Sequence, residues 1–272
     1  MKKVLLVCDG NHFSEAAFKM ATYLQTTQPM LLTGVFLGAE IYKYIYFDVN
    51  YATADLVTDL LDEQEAQLAQ STDRFKELCT KYGIEYQVHE DWESFSLDNL
   101  KKEMRFADLA IIGSEVFYKN FGNDNPNGHL KTTLHNAECP VLLVPESFDA
   151  IDNLLLAYDG SKSSVFAIKQ FVNTLPELCT KETLLVYAAE SDKDIPDLTY
   201  IEELAGRHFP NLTFYKLAID PKAYFGTWLS ERKNTLVVTG SFGRSGVSGL
   251  LRHSFITDVI QEHELPIFIA HQ

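Results

Sequence analysis

The sequence predicts an α/β protein built from two copies of one unit, each a doubly wound domain whose five-stranded parallel sheet is flanked by helices. Two internal repeats support this prediction. Segment 4–10 recurs as segment 153–160, and segment 108–114 recurs as segment 234–241. Between these repeats, short apolar runs alternate with helical patterns, which is typical of βαβ units and a parallel sheet.

The apolar runs predict five strands in each half. They lie near residues 3–8, 30–37, 85–89, 109–112 and 141–144 in the first half, and near 153–158, 182–188, 212–217, 236–239 and 267–270 in the second. Four helices are expected between the strands of each half, among them a long one from about 55 to 82. The first helix of each copy is predicted to begin at a serine cap, Ser14 and its repeat Ser164. We expect a domain over residues 1–148 and another over 149–272.

Composition and charge exclude several classes of protein. The 272 residues are 46% hydrophobic and carry a formal net charge of −15, which argues against a general nucleic-acid binder. Apolar runs have the length of strands and fall short of the roughly 20 residues that span a bilayer, so no membrane partner is expected. The apolar run after Met1 meets Asp9 too early for a signal peptide, and the four cysteines form no CxxC pair. These features predict a cytoplasmic protein with reduced thiols.

A glycine-rich segment follows the fourth strand of the second half. It runs from Gly240 to Gly249, and a helical pattern begins at about His253. Glycines let backbone amides approach a phosphate, and the start of a helix adds partial positive charge, so the segment predicts anion binding. It is not a Walker A loop, because no Gly-Lys-Ser/Thr follows. A flexible loop without a ligand remains an equal alternative on spacing alone.

These residues resemble the nucleotide-binding universal stress proteins, and specifically the tandem form with two such domains in one chain. That resemblance covers nearly the whole chain in two passes and implies an adenine nucleotide alpha hydrolase-like fold. The family pattern is Gly-x2-Gly-x9-Gly-Ser/Thr after strand four, with an Asp ending strand one. Gly240, Gly243 and Ser254 match that pattern, whereas His253 stands where the third glycine is expected.

The resemblance implies a nucleotide site in the second half. Asp159 would contact the ribose or phosphate side, and the backbone near Tyr187 would meet the adenine. Thr239 would line the cleft, while Gly240, Gly243 and Ser254 would hold phosphates beside His253. Arg244 in the loop and Arg252 beside it could add charge-assisted contacts, or could be solvated surface charges.

The first copy has lost much of this pattern. It keeps Asp9, Gly113 and Gly128, but Val116 replaces the second glycine, and segment 117–127 is rebuilt as an Asn- and Asp-rich loop. No phosphate site is therefore expected in the first half. In the resembling family the last strand mediates dimerisation, so the two domains of this chain are expected to pair with each other through their last strands. Homodimerisation of the whole chain stays open.

Other chemistry-bearing residues have simpler interpretations. His253 and Ser254 are neighbours on a helix and point about 100° apart, so they do not form a nucleophile and base pair. His89 and the acidic residues after it lack the spacing of a zinc helix and are interpreted as a surface cluster. The aromatic-rich insertion 41–51 would be a contact surface or lid if exposed, and is favoured as packed against the partner domain or a partner chain.

The sequence thus predicts no catalytic residue and no metal site of the protein itself. The leading hypothesis is a cytoplasmic stress-response regulatory or binding protein whose second domain binds ATP or a related nucleotide, with Mg²⁺ only as the companion of bound nucleotide. One alternative is a weak Mg²⁺-dependent ATP hydrolase that uses Asp159. Another is a protein-interaction scaffold in which both sites are vestigial.

Overall fold

The structure is a computed structural model of the whole chain. It describes residues 1–9, 13–37, 54–89, 97–114, 128–147, 149–189, 194–240 and 265–271. The aromatic insertion 41–51, segment 90–93 after His89, and segment 241–264 lie outside the described residues. The structural statements below refer to the described ranges.

The ten predicted strands are confirmed, with ends shifted by one or two residues at most. In the first half they are β1 (Lys2–Asp9), β2 (Met30–Leu37), β3 (Glu85–His89), β4 (Leu109–Gly113) and β5 (Val141–Val144). In the second half they are β6 (Asn153–Ala157), β7 (Glu182–Ala189), β8 (Leu212–Ala218), β9 (Thr235–Thr239) and β10 (Ile267–Ile269).

Helices occupy the connections between the strands. The first half contains α1 (Glu15–Gln25), α2 (Ala54–Tyr82), α3 (Leu97–Arg105) and α4 (Gly128–Asn136). The second contains α5 (Lys162–Thr174), a 3₁₀ turn (Pro176–Thr180), α6 (Leu198–Gly206) and α7 (Pro221–Ser230). The long helix predicted near 55–82 is confirmed as α2. The helix expected from about His253 falls in a segment that the structure does not describe.

All ten strands form one sheet in the order β3-β2-β1-β4-β5-β10-β9-β6-β7-β8. Each half is parallel within itself, and the α/β fold class is confirmed. The halves meet where β5 and β10 pair antiparallel, with Phe268 opposite Leu142. Strand order reverses between β1 and β4 and again between β6 and β9, so the crevice of each half lies at the carboxyl ends of those strands.

Apolar side chains from both halves pack on both faces of the sheet. Alternation along β1 sends Leu6 into one core and Leu5 into the other, as the two-residue period of a strand requires. Phe268 of β10 is fully buried and meets Phe171 of α5 edge-on, with ring centroids 5.2 Å apart. Each core therefore continues across the junction between the halves.

Polar contacts also cross this junction at helix ends. Lys2 Nζ donates to the carbonyl of Asn173 at 3.1 Å and to that of Thr174, at the end of α5. Gln28 Nε2 donates to the same Thr174 carbonyl at 3.2 Å. Burial lowers the pKa of Lys2, although Glu177 and Asp108 oppose this shift. These donors satisfy carbonyls that a helix end leaves without intrahelical partners.

One prediction about the helix starts is wrong. Ser14 caps α1 as expected, since its side chain accepts from the Ala17 amide. In the second half Ser161 caps α5, and Ser164 lies inside the helix. Ser164 instead uses its amide to donate to Ser161 Oγ at 3.1 Å. The repeat aligns Ser164 with Ser14, but α5 begins closer to the end of β6 than α1 begins to the end of β1.

Replacing Phe268 by Ala should destabilise the whole chain. The change removes a fully buried ring at the junction and leaves a cavity, so we expect a loss of about 3–5 kcal/mol in the free energy of unfolding. Urea denaturation measures it. Tyr224→Ala, at a side chain that is 60% exposed, is the control and should change stability by no more than about 0.5 kcal/mol. Equal losses in the two variants would contradict the shared core.

Candidate functional site

The carboxyl ends of β6 and β9 bring the predicted site residues together. These strands pair in parallel, with Leu156 opposite Val238, so Asp159 and Gly240 both emerge at the crevice between them. On the other side of β6, the Tyr158 amide donates to the Val186 carbonyl at 3.0 Å, which puts Tyr187 at the same end of the sheet. Asp159, Tyr187, Thr239 and Gly240 thus occupy one edge of the second half.

Asp159 forms a compact turn between β6 and α5. Its Oδ1 accepts from the Ser161 amide at 2.9 Å, and Gly160 follows with a left-handed φ of +78° that glycine adopts without strain. The other carboxylate oxygen, Oδ2, is buried and has no hydrogen-bond partner among the described residues. A buried carboxylate oxygen left in this way requires a donor from elsewhere.

Gly240 fits closely against the first turn of α5. A Cβ at this position would lie 2.1 Å from the Ser163 carbonyl oxygen and 2.6 Å from the Ser164 amide nitrogen. Only glycine permits β9 to end so near the helix backbone. The need for glycine at 240 therefore has a packing cause that is independent of any ligand.

Thr239 and Tyr187 are both largely enclosed. Thr239 is 1% exposed, and its carbonyl accepts from the Ala270 amide at 3.3 Å. Tyr187 is 6% exposed and lies opposite Lys216 in the β7–β8 pairing. The other predicted site residues, Gly243, Arg244, Arg252, His253 and Ser254, lie outside the described residues.

The structure adds residues that sequence reasoning missed. The buried Tyr158 hydroxyl donates to the Pro196 carbonyl at 2.9 Å, and a Cβ on Gly160 would lie 2.7 Å from the Pro196 Cβ. Segment 194–197 therefore packs directly over the Asp159 turn. Burial raises the pKa of Tyr158, with further contributions from Asp197 and Asp159. The signal in the sequence that could have pointed to this contact was the phenol of Tyr158, which stands where the first copy has Cys8.

His89 belongs to a small polar cluster near the outer edge of the first half. Its Nδ1 lies 2.8 Å from Glu103 Oε1, and Lys3 Nζ lies 3.6 Å from Glu103 Oε2. No group of three or more metal-capable side chains occurs among the described residues.

Comparison with known proteins gives a consistent result. No protein-family model matches the chain. The chain is 22% identical to the universal stress protein Slr1230 of Synechocystis, over 98% of this chain and 99% of that protein. A universal stress protein from Archaeoglobus fulgidus superimposes with a TM-score of 0.67 at 16% identity, covering 98% of this chain and 96% of its own. A putative universal stress protein from Pseudomonas aeruginosa gives 0.53 at 16% identity, with coverages of 100% and 93%.

The chain resembles universal stress proteins along its whole length and in its fold. The predicted resemblance is confirmed by similarity along the whole length and by the fold. The structure describes only part of the crevice of the first half. In the first half Gly113 ends β4, and the amide of Ser114 donates to the Val144 carbonyl at 2.8 Å. Val116 and the rebuilt loop after it lie outside the described residues, so the expected loss of the first site stays a prediction.

No helix in the described part of the chain has the length and apolar character that crossing a membrane requires. Its thiols are also poorly suited to chemistry. Burial raises the pKa of Cys79, Cys139 and Cys179 to about 12 in each case, and nearby carboxylates add to the shift for the last two. Thiols of this kind stay protonated at neutral pH and are weak nucleophiles.

Replacing Gly240 by Ala should destabilise the fold even without ligand. The new methyl group would overlap the backbone of α5, so we expect a loss of about 3 kcal/mol or more in unfolding free energy. Gly206→Ala is the control, because a Cβ there meets no described atom within 4 Å and alanine favours the helix by about 0.5–1 kcal/mol. Chemical denaturation measures both variants. Equal stability of Gly240→Ala and Gly206→Ala would contradict the packing role of Gly240.

The raised pKa values of the thiols predict slow alkylation of the folded protein. At pH 8, a thiol with a pKa of about 12 has about 1000-fold less thiolate than one at the ordinary value of 9.0. Iodoacetamide at pH 8, followed by peptide mass spectrometry, should leave Cys79, Cys139 and Cys179 unlabelled until denaturant is added. Rapid labelling of any of the three in the native protein would show that its thiol is not held protonated.

Proposed function

We propose that the second half binds ATP or a related adenine nucleotide, and that the protein is a cytoplasmic stress-response regulatory or binding module. The observation that carries the proposal is the buried, unpaired Oδ2 of Asp159 at the point where strand order reverses. Crevices at such points are the usual ligand sites of doubly wound sheets. The resemblance to universal stress proteins supports a nucleotide as the occupant.

The chemistry of the surrounding groups fits such a ligand. Asp159 Oδ2 can accept from a ribose hydroxyl, an amino group, or water on a phosphate-bound Mg²⁺. The start of α5, capped at Ser161, lies beside it and contributes partial positive charge. Gly240 then leads into the glycine-rich segment, whose sequence supplies Gly243, Arg244, His253 and Ser254 for the phosphates. Mg²⁺ enters only with bound nucleotide.

Nucleotide binding is tested by heating the protein with and without ATP. At 100 times its Kd, ATP should stabilise the protein by about 2.7 kcal/mol, and purified protein should release nucleotide on denaturation. Gly243→Val should remove this stabilisation, because the added side chain keeps backbone amides from the phosphates. Stabilisation that survives in Gly243→Val would exclude the glycine-rich segment as the site.

A matched pair of variants tests the role of Asp159. Asp159→Asn keeps the oxygen that accepts from the Ser161 amide but replaces the unpaired oxygen by a donor, so the apparent affinity for ATP should fall at least about tenfold. Asp9→Asn makes the same change at the repeat position of the first half and should leave affinity unchanged. Equal effects would place binding elsewhere.

Phosphate release by wild type that is lost in Asp159→Asn would favour the hydrolase, and no response of wild type to any nucleotide would favour the scaffold.

A further inference from the structure

The first turn of α6 is weakly determined by its own residues. It begins after Asp197, which has a left-handed φ of +50° and makes no side-chain capping bond to the helix. A left-handed conformation at a residue other than glycine costs roughly 1 kcal/mol or more, and an uncapped start loses further stabilisation. Yet the amides of Tyr200 and Ile201 both donate to the Asp197 carbonyl, at 3.0 and 3.1 Å. Contacts from outside the helix therefore add to the stability of its start.

Two neighbouring contacts are available for that purpose. Ile195 is half-buried and packs against the core, which anchors one side of segment 194–197. Pro196 contacts the Asp159 turn through Gly160 and accepts from the Tyr158 hydroxyl at 2.9 Å. Tyr158 is 4% exposed and directly follows β6, so its ring is fixed by the sheet. This hydrogen bond joins the rigid strand end to the residue immediately before Asp197.

We propose that Tyr158 is a positioning residue: by holding Pro196, its hydroxyl fixes segment 194–197 as one wall of the crevice at Asp159 and keeps the site of the second half formed before ligand arrives. The wall lies against the turn whose carboxylate carries the unpaired oxygen. A preformed wall avoids the loss of apparent affinity that arises when only a fraction of molecules is competent to bind. Cys8, the repeat position in the first half, has no phenol to make such a bond.

The proposal has a test that does not need a ligand. Tyr158→Phe removes only the hydroxyl, and the loss of one neutral hydrogen bond should speed local opening by about fivefold. Hydrogen exchange should therefore accelerate at the amides of Tyr200 and Ile201. The amide of Tyr224, which donates to the Asp220 carbonyl at the start of α7, should be unchanged. Tyr200→Phe, at a side chain 75% exposed on α6 itself, is the matched control and should leave exchange at both sites as in wild type.

A second pair of variants disturbs the same contact from the other side. Gly160 and Gly83 both have left-handed φ values, +78° and +65°, but only at Gly160 would a Cβ meet Pro196. Both Ala variants carry the backbone strain, so the loss of unfolding free energy in Gly83→Ala measures that strain without a contact to Pro196. Gly160→Ala should show the additional acceleration of exchange at Tyr200 and Ile201. If Tyr158→Phe does not fold, this pair still tests whether the contact with Pro196 holds the start of α6.

The binding arm rests on the proposed function. In calorimetric titration with Mg·ATP, Tyr158→Phe should bind about fivefold more weakly than wild type, and Tyr200→Phe should bind equally well. Unchanged exchange in both Tyr158→Phe and Gly160→Ala would overturn the proposal. Faster exchange in Tyr158→Phe with unchanged affinity for Mg·ATP would overturn the role of Tyr158 in the binding site. If wild type binds no nucleotide, the proposed function fails, and the exchange data still decide whether Tyr158 holds the wall.

Discussion

The antiparallel ladder between β5 and β10 joins two parallel half-sheets into one, and the remaining architecture follows from that junction. Alone, each ladder partner would be a short apolar strand with unpaired backbone groups along one side. Pairing satisfies those groups and places Phe268 in a core cluster to which both halves contribute residues. It also puts the carboxyl ends of β1 and β6 in separate crevices. The two halves can therefore diverge in chemistry while they share stability.

The crevice of the second half combines structural and chemical demands at adjacent residues. Gly240 must be glycine because β9 ends against the backbone of α5, whatever binds nearby. Asp159 uses one oxygen to build its turn and leaves the other buried and unpaired among the described residues. The first residue is explained by packing alone. Packing does not explain Asp159, because a buried unpaired carboxylate oxygen destabilises a protein unless a donor arrives. Asp159 is therefore the stronger indication of a ligand.

Family resemblance and physical geometry contribute different things here. Sequence similarity along the whole chain and the shared fold show a resemblance to universal stress proteins. Neither says which side chains of the crevice act on a ligand. The local contacts show an unpaired carboxylate oxygen on Asp159 and a packing role for Gly240. They also add the Tyr158–Pro196 hydrogen bond, which the motif Gly-x2-Gly-x9-Gly-Ser/Thr does not contain. The arginines and His253 rest on the sequence pattern alone.

The sequence by itself determined the strands, the long helix α2 and the duplication, because apolar period and repeat spacing are local properties that one chain displays directly. It also indicated Asp159 and Gly240 through the motif. Only the tertiary structure decided that Ser161, and not Ser164, caps α5, since a cap depends on where the turn before the helix closes. The tertiary structure also decided two contacts between distant residues. Gly240 packs against Ser163 of α5, 77 positions away, and Tyr158 bonds to Pro196, 38 positions away. No local pattern encodes such distances, because they are set by how strands and helices pack.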